Sequence, residues 1–341
     1  MMPVAAQWTV DGEQAVVTIC ADKTADVLVL PFRSQKPARR FALGALGSSA
    51  YAPFPQIGSR VYVGSSTGAY RLDLDNGEIL ENHLDKTLDS DSGLMLFESG
   101  SKIMYLANLK GETPAAAKKD EKDTQEKPES KMEFGDVDAK DLSFHATQQL
   151  TAADLKAKGL SDISPFTDVE PKGQRLAMVG QRLEDERAAI VILEHAQIVK
   201  VLDVGAKSNY DDVGNPQWSR DAKLVYVAAL LQNEATKTTE LAIVEVPVDG
   251  KSPRIDRIME GPKSDFDDEY LNFAQIALSP DGKLIALSNG YDKEVRPEKK
   301  GIFLLDVSQP GRPVSFYPAP ALPAVPKEPA AKTEAKPAAK E

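Results

Sequence analysis

Two short stretches combine an aromatic residue with paired carboxylates. Ser208-Asn209-Tyr210-Asp211-Asp212 and Ser264-Asp265-Phe266-Asp267-Asp268-Glu269 share the pattern Ser-x-aromatic-Asp-Asp. An aromatic ring beside two acids offers an apolar contact and a negative field, which suits a basic or extended partner better than it suits bond-breaking. The same residue types also make ordinary turns, with the aromatic pinning the loop and the aspartates solvated or capping.

Other candidates for chemistry fail on spacing or context. Gly64-Ser65-Ser66-Thr67-Gly68 has the form of a serine-hydrolase elbow around Ser66, but that chemistry needs strand, sharp turn and helix, and here two strand patterns flank the pentapeptide. Asp73-Leu74-Asp75-Asn76-Gly77 starts like a calcium loop, yet its glycine comes one residue early and Leu84 stands where a bidentate glutamate is required. His83, His145 and His195 are scattered, with no zinc-ligand spacing. Cys20 is a lone cysteine, expected to be small and buried; it excludes an intramolecular disulfide and any zinc site built on several thiolates. The sequence therefore assigns no catalytic residue, no metal ligand and no cofactor. Tyr210, Asp211, Asp212, Phe266, Asp267 and Asp268 are the expected partner-binding residues.

The elements that position these loops are short strands in a repeat. Leu278-Ser279-Pro280-Asp281-Gly282-Lys283 leads into Leu284–Ser288, Trp218-Ser219-Arg220-Asp221-Ala222-Lys223 into Leu224–Val227, and Trp8-Thr9-Val10-Asp11-Gly12 into Ala15–Val17. Anchored at Ala15, Val61, Ile103, Leu176, Leu224 and Leu284, the copies are spaced by roughly 46, 42, 73, 48 and 60 residues, the period of four-stranded propeller blades with insertions. A second strand follows in each unit (Val27–Leu30, Ala69–Leu74, Met132–Val137, Ala188–Leu193, Glu240–Val246, Gly301–Val307) and then an outer one. Asn76-Gly77 and Asp249-Gly250 supply hairpin turns in which positive φ is cheap. One helix is expected, from Thr151 to Ala157, with a Thr cap and Gly159 as its stop.

The Trp/Leu-Ser-Pro-Asp-Gly-Lys motif, clearest at 278–287 and looser at 218–227 and 8–17, resembles the blade motif of TolB-like propellers, a branch of the wider WD-repeat-like group. The blade around Val61 is also similar to quinoprotein-type repeats. The resemblance implies an all-β, six-bladed propeller with a central funnel at which proteins or extended peptides bind. A seventh blade is the alternative, with room before Leu284.

The expected organisation is a propeller over 3–318, with blades at 3–45, 50–85, 93–150, 163–204, 214–260 and 272–318. Residues 110–131 form an expected disordered insertion, of mixed charge and with no large apolar residue. A Pro/Ala/Lys/Glu-rich tail covers 319–341. The longer second-to-third strand connections should open on the face that carries the acidic loops.

Net charge is −11, which argues against non-specific nucleic-acid binding or attraction to anionic lipid. No apolar run approaches the roughly 18 residues a membrane span needs. The N-terminus as given has no basic, apolar leader; the chain reads as cytoplasmic by default, or as periplasmic or envelope-bound if its start lies upstream. The leading functional expectation is a non-catalytic propeller that binds a protein or extended peptide through its loop-rich funnel face. The alternatives are a hydrolase or lactonase using funnel carboxylates such as Asp168, Asp212 and Asp268, or a sensor or accessory region detached from a larger protein. Oligomeric state has no signature in the sequence.

Overall fold

The computed structural model describes residues 2–9, 14–21, 24–31, 37–43, 50–51, 55–65, 67–86, 88, 94–99, 102–109, 131–171, 173, 175–205, 208–233, 236–262, 276–279, 281–289 and 297–318. Residues 110–130 of the expected insertion and the expected tail lie outside this set, and so does the side chain of Cys20. Lys131, the last residue of the expected insertion, is the first residue of a strand.

The strands form six antiparallel sheets, each contiguous in sequence, arranged in a ring as a six-bladed β-propeller. Blade 1 holds β1 (Met2–Trp8), β2 (Gln14–Ala21), β3 (Thr24–Pro31) and β4 (Arg39–Ala42). Blade 2 holds β5 (Ala50–Tyr51), β6 (Gln56–Ile57), β7 (Arg60–Ser65), β8 (Gly68–Asp73) and β9 (Ile79–His83), with β5 and β6 each pairing β7. Blade 3 holds β10 (Leu94–Ser99), β11 (Lys102–Leu109), β12 (Lys131–Val137) and β13 (Phe144–Leu150). Helix α1 (Ala152–Ala157) leads to blade 4, made of β14 (Leu160–Val169), β15 (Arg175–Arg182), β16 (Ala188–Glu194) and β17 (Gln197–Asp203). Blade 5 holds β18 (Gln217–Trp218), β19 (Leu224–Asn233), β20 (Thr238–Pro247) and β21 (Arg254–Gly261). Blade 6 holds β22 (Ile276–Leu278), β23 (Leu284–Asn289), β24 (Gly301–Asp306) and β25 (Val314–Pro318). The described residues form six blades and no seventh sheet. First strands touch between blades 1 and 2, 2 and 3, 4 and 5, and 5 and 6, so these blades run from the centre outward.

Burial follows position in the blade. The third strands β16 and β20 are covered on both faces by neighbouring blades, and their sequences, Ala-Ala-Ile-Val-Ile-Leu and Leu-Ala-Ile-Val-Glu-Val, are correspondingly apolar on both sides. The outermost strands β13 and β17 bury only scattered residues, such as Leu150, Ile198 and Leu202.

The repeated motif is a turn-building device. Ser219 Oγ donates to Asp221 (2.8 Å) and accepts the N–H groups of Lys223 (3.2 Å) and Leu224 (3.0 Å). Ser279 does the same with Asp281 (2.7 Å), Lys283 (3.1 Å) and Leu284 (2.9 Å). The residue after each aspartate is left-handed: Gly282 at φ 71° and Ala222 at φ 58°. Glycine takes that conformation without penalty, and alanine there is strained. These hydrogen bonds hold both aspartates below the usual carboxylate range, led by the serine hydroxyl.

Candidate functional site

In a meander of four strands, first-to-second and third-to-fourth connections share one face of the ring, and second-to-third and blade-to-blade connections share the other. The first is a face of turns: Gly58-Ser59, 219–223 and 279–283 between inner strands, and His195-Ala196 and 74–78 between outer ones. The second receives the long connections: 110–130 in blade 3, 290–300 in blade 6, α1 ahead of blade 4, and 204–216 between blades 4 and 5. Second-to-third connections are short in blades 1, 2, 4 and 5, at 22–23, 66–67, 183–187 and 234–237, so the long ones fall in blades 3 and 6 and in the connections between blades.

Tyr210–Asp212 lies on this loop face as a single 3-10 turn. Its flanks are tied to both blades. Asn209 bridges Arg187, and Ala188 N–H donates to Ser208 O (3.1 Å); Val213 bridges Ala229, and Gly214 N–H donates to Ala228 O (2.9 Å). Asn209 Nδ2 donates to Asp212 Oδ2 (2.9 Å), which closes the turn on itself. Tyr210 is half-buried and packs against the apolar cluster between blades 4 and 5. Its ring therefore pins the connection, while Asp212 stays partly exposed. The Ser208 hydroxyl at the start of the connection is enclosed without a partner among the described residues. Phe266, Asp267, Asp268 and the Asp211 side chain lie outside the described residues.

Two further features lie on this face. Thr151 caps α1 in a capping box with Asp154, Leu155 is buried, and Gly159 O accepts the N–H of Leu183 (2.8 Å). The helix end is thus joined to the 182–187 hairpin tip, where Leu183 is 51% exposed among Arg182, Asp185 and Arg187. At the roots of 110–130, Glu133 is fully buried. It accepts Lys86 Nζ on both oxygens (2.6 and 2.5 Å), Tyr105 OH (2.7 Å) and Gln149 Nε2 (3.0 Å). Burial raises the Glu133 pKa, but the bonds from Lys86, Gln149 and Tyr105 outweigh it and hold the group below its ordinary value. Burial and the bond to Glu133 push the Tyr105 hydroxyl upward. A carboxylate so fully bonded is structural. Its only trace in the sequence is an acid between Met132 and Phe134 in an apolar strand.

The funnel carboxylate Asp168 sits at the other end of the inner strands. It pairs with Ala177 near the turn face, and its Oδ2 accepts the N–H of Trp218 in the next blade (2.7 Å). Trp218 Nε1 donates to Asp168 O (3.2 Å), and Arg175 lies over the indole ring at 4.9 Å. Gln217 holds the equivalent place one blade on, with its Oε1 accepting the N–H of Leu278 (2.9 Å). These are staples between first strands. Burial lifts the Asp168 pKa to about 6, against the opposing Trp218 bond and the Arg220 charge.

Asp168 and Asp212 thus lie at opposite ends of the inner strands and do not converge. The histidines stay apart too: His83 on β9, His145 on β13, and His195 in the β16–β17 turn, all exposed. Among the described residues no group of three His, Cys, Asp or Glu could hold a metal ion, and no helix is long and apolar enough to cross a membrane. Ser65 Oγ donates to Gly68 O (2.9 Å) and accepts Gly68 N–H (3.1 Å), as a strand-joining loop requires; Ser66 lies outside the described residues. Asp73 accepts the N–H groups of Asp75 and Asn76, which makes the Asp-Asn-Gly stretch a hairpin turn. A cleft of ≈ 290 Å³ on the flank between blades 4 and 5, bounded by Val201, Pro247 and Pro253, takes in none of these groups.

No protein-family model matches the chain, and no curated protein matches it. Solved structures do. One is a protein of unknown function from Desulfotomaculum acetoxidans, at 14% identity and TM-score 0.54, covering 92% of this chain and 84% of that one. Another is regucalcin, a calcium-binding protein from Agrobacterium tumefaciens, at 14% identity and TM-score 0.43, covering 86% of this chain and 84% of that one. A third is TolB from Acinetobacter baumannii, at 13% identity and TM-score 0.43, covering 74% of this chain and 56% of that one. At such identities the likeness is one of fold, and the fold shared with the Desulfotomaculum protein extends over nearly the whole chain.

Proposed function

We propose that this chain is a non-catalytic propeller that binds a protein or an extended peptide on its loop-rich face, around the connections of blades 3 to 6. The observation that carries the reading is the asymmetry of the two faces. The described turns on one face are short and closed by their own hydrogen bonds, whereas the other face gathers α1, the 182–187 tip and the Tyr210–Asp212 turn on the ring. A rigid scaffold that presents loops on one side is the usual arrangement for recognition. Asp211 and Asp212, with Asp267 and Asp268 ahead of the next blade, give the partner side an acidic character that favours basic segments. Phe266 is the apolar contact beside those acids, while Tyr210 holds its own turn against the cluster between blades 4 and 5.

Selection of a displayed library of extended peptides on the whole chain tests this. Enriched clones should be rich in Lys and Arg, and binding should weaken about 10-fold or more when Asp211, Asp212, Asp267 and Asp268 become Asn together, with melting unchanged. Clones that bind the Asn variant as well as the parent chain would remove these loops from the account.

A further inference from the structure

The outer strands of the six blades differ in how they guard their free edge. An outer strand is paired on one side, so its other side offers backbone N–H and C=O groups to another strand. Charged side chains on such an edge discourage pairing. β4 carries Arg39 and Arg40, β9 carries Glu81, β17 carries Lys200, and β21 carries Arg257 and Glu260. β13 has no Lys, Arg, Asp or Glu, and it exposes no large apolar side chain. β25, Val-Ser-Phe-Tyr-Pro, is uncharged as well, yet Val314 and Phe316 are 37% and 38% exposed.

β25 ends its sheet, and among the described residues nothing pairs with its outer side. The ladder shows which backbone groups point there. Asp306 N–H donates to Pro313 O directly across the hairpin (3.1 Å), which makes these two a hydrogen-bonded pair. Bonded and non-bonded pairs alternate along an antiparallel ladder, and this one runs without irregularity to Gly301 and Pro318. Ser315 and Tyr317 are therefore bonded to Leu304 and Ile302. Val314 and Phe316 turn both backbone groups outward, and Pro318 turns its carbonyl outward. The Phe316 ring holds the strand to its blade, with its centroid 4.7 Å from that of Phe303.

A strand that completes this edge must supply donors and acceptors at alternate positions. The chain's own continuation suits this poorly, because Pro320, Pro323, Pro326 and Pro329 have no N–H. β25 itself meets the requirement. Laid antiparallel on its own copy about Phe316, it forms reciprocal bonds between the two Phe316 residues, and each Val314 N–H reaches Pro318 O of the other copy. The absent Pro318 N–H then forfeits a single bond on each side. The two Phe316 rings meet across the two-fold axis as a favourable cross-strand pair. With a net charge of −11, copies of this chain repel, and β25 sets no charged side chain opposite its like.

We propose that two copies of this chain associate through β25, joining their four-stranded sixth blades into one continuous sheet across a two-fold axis. Pairing through five residues a side makes a small contact, of the weak and concentration-dependent kind. The association stands apart from the loop-face reading and does not depend on it.

Sedimentation equilibrium of the whole chain between roughly 1 μM and 1 mM tests this. The average mass should climb from one copy toward two. Val314→Pro removes an outward N–H and none that β24 uses, so association should weaken about 10-fold or more with melting unchanged. If that variant does not fold, Val314→Lys sets a charge on the edge and carries the same expectation. Hydrogen exchange identifies the occupant. Amides of Val314 and Phe316 should be protected at high concentration only, and those of Ser315 and Tyr317 at every concentration. A chain that stays monomeric throughout overturns the proposal, whether the Val314 and Phe316 amides exchange freely or are covered by its own tail. Association that Val314→Pro leaves intact overturns it as well.

Discussion

The two faces of the ring use the same residue types to opposite ends. On the turn face, aspartates and serines are spent on the backbone. Ser219 with Asp221 and Ser279 with Asp281 bond the next strand's first amides, and Asp168 bonds the N–H of Trp218. On the loop face, Asp212 is held by one side-chain amide and remains partly exposed, and Leu183 stands half out in solvent. An aspartate in a propeller is therefore read by its bonds: backbone and hydroxyl partners, as at Asp221 and Asp281, mark scaffold, and a lone side-chain amide, as at Asp212, marks a surface free to meet something else. Substitutions should divide accordingly. Turn-face changes should cost stability, and loop-face changes should cost binding.

The largest effect belongs to Trp218. Its indole fills the junction of blades 4 and 5, donates to Asp168 O and lies under Arg175. Trp218→Ala should cost about 3–5 kcal/mol in urea unfolding followed by circular dichroism, while Leu183→Ala on the loop face should stay within about 0.5 kcal/mol. Similar costs at both positions would break the contrast.

Asp168 gives the next effect, with a defined sign. Its pKa rises from 3.8 to about 6 on folding, because burial penalises the charged form. Between those values the folded chain keeps a proton that the unfolded chain has lost. Stability should therefore fall as pH rises from about 4 through about 6, by roughly 2–3 kcal/mol. Asp168→Asn removes this slope and still accepts the Trp218 N–H, as the Gln217 amide does for Leu278. An unchanged slope in the Asn variant would place the titration elsewhere.

Ser219→Ala strips one donor and two accepting contacts from its turn and should cost about 1–2 kcal/mol. The smallest effect compares the two copies of the motif. Ala222→Gly relieves a left-handed alanine and should add about 0.5–1 kcal/mol, and Gly282→Ala should lose about 1 kcal/mol. Thermal melts of the two variants should move in opposite directions.

The scaffold was legible because its signals are local. The strand expected at Ala188–Leu193 is β16, that expected at Met132–Val137 is β12, and the helix begins behind its Thr151 cap as the capping box requires. The same holds for the Asp-Gly turns, whose partners lie within five residues. What escaped depends on contacts between distant parts of the chain. The Glu133 network gathers Lys86, Tyr105 and Gln149 from three other elements, and the Asp168 staple reaches 50 residues ahead. No periodicity announces such pairs. Grouping Asp168 with Asp212 as funnel acids also failed for a physical reason. Counting residues before each blade ignores that β14 spans ten residues and carries two irregularities in register, which leaves Asp168 at the turn end. Of the acidic loops, the sequence left two readings of Tyr210 open, a contact for a partner or a pin for its own loop, and the ring packs as a pin against the cluster between blades 4 and 5.

The most direct test of the division between the faces is hydrogen exchange of the whole chain with and without a peptide selected on it. Binding should slow exchange at 151–159, 182–187 and 208–213 and leave 219–223 and 279–283 unchanged. Protection that appears at the 219–223 and 279–283 turns instead would contradict the account.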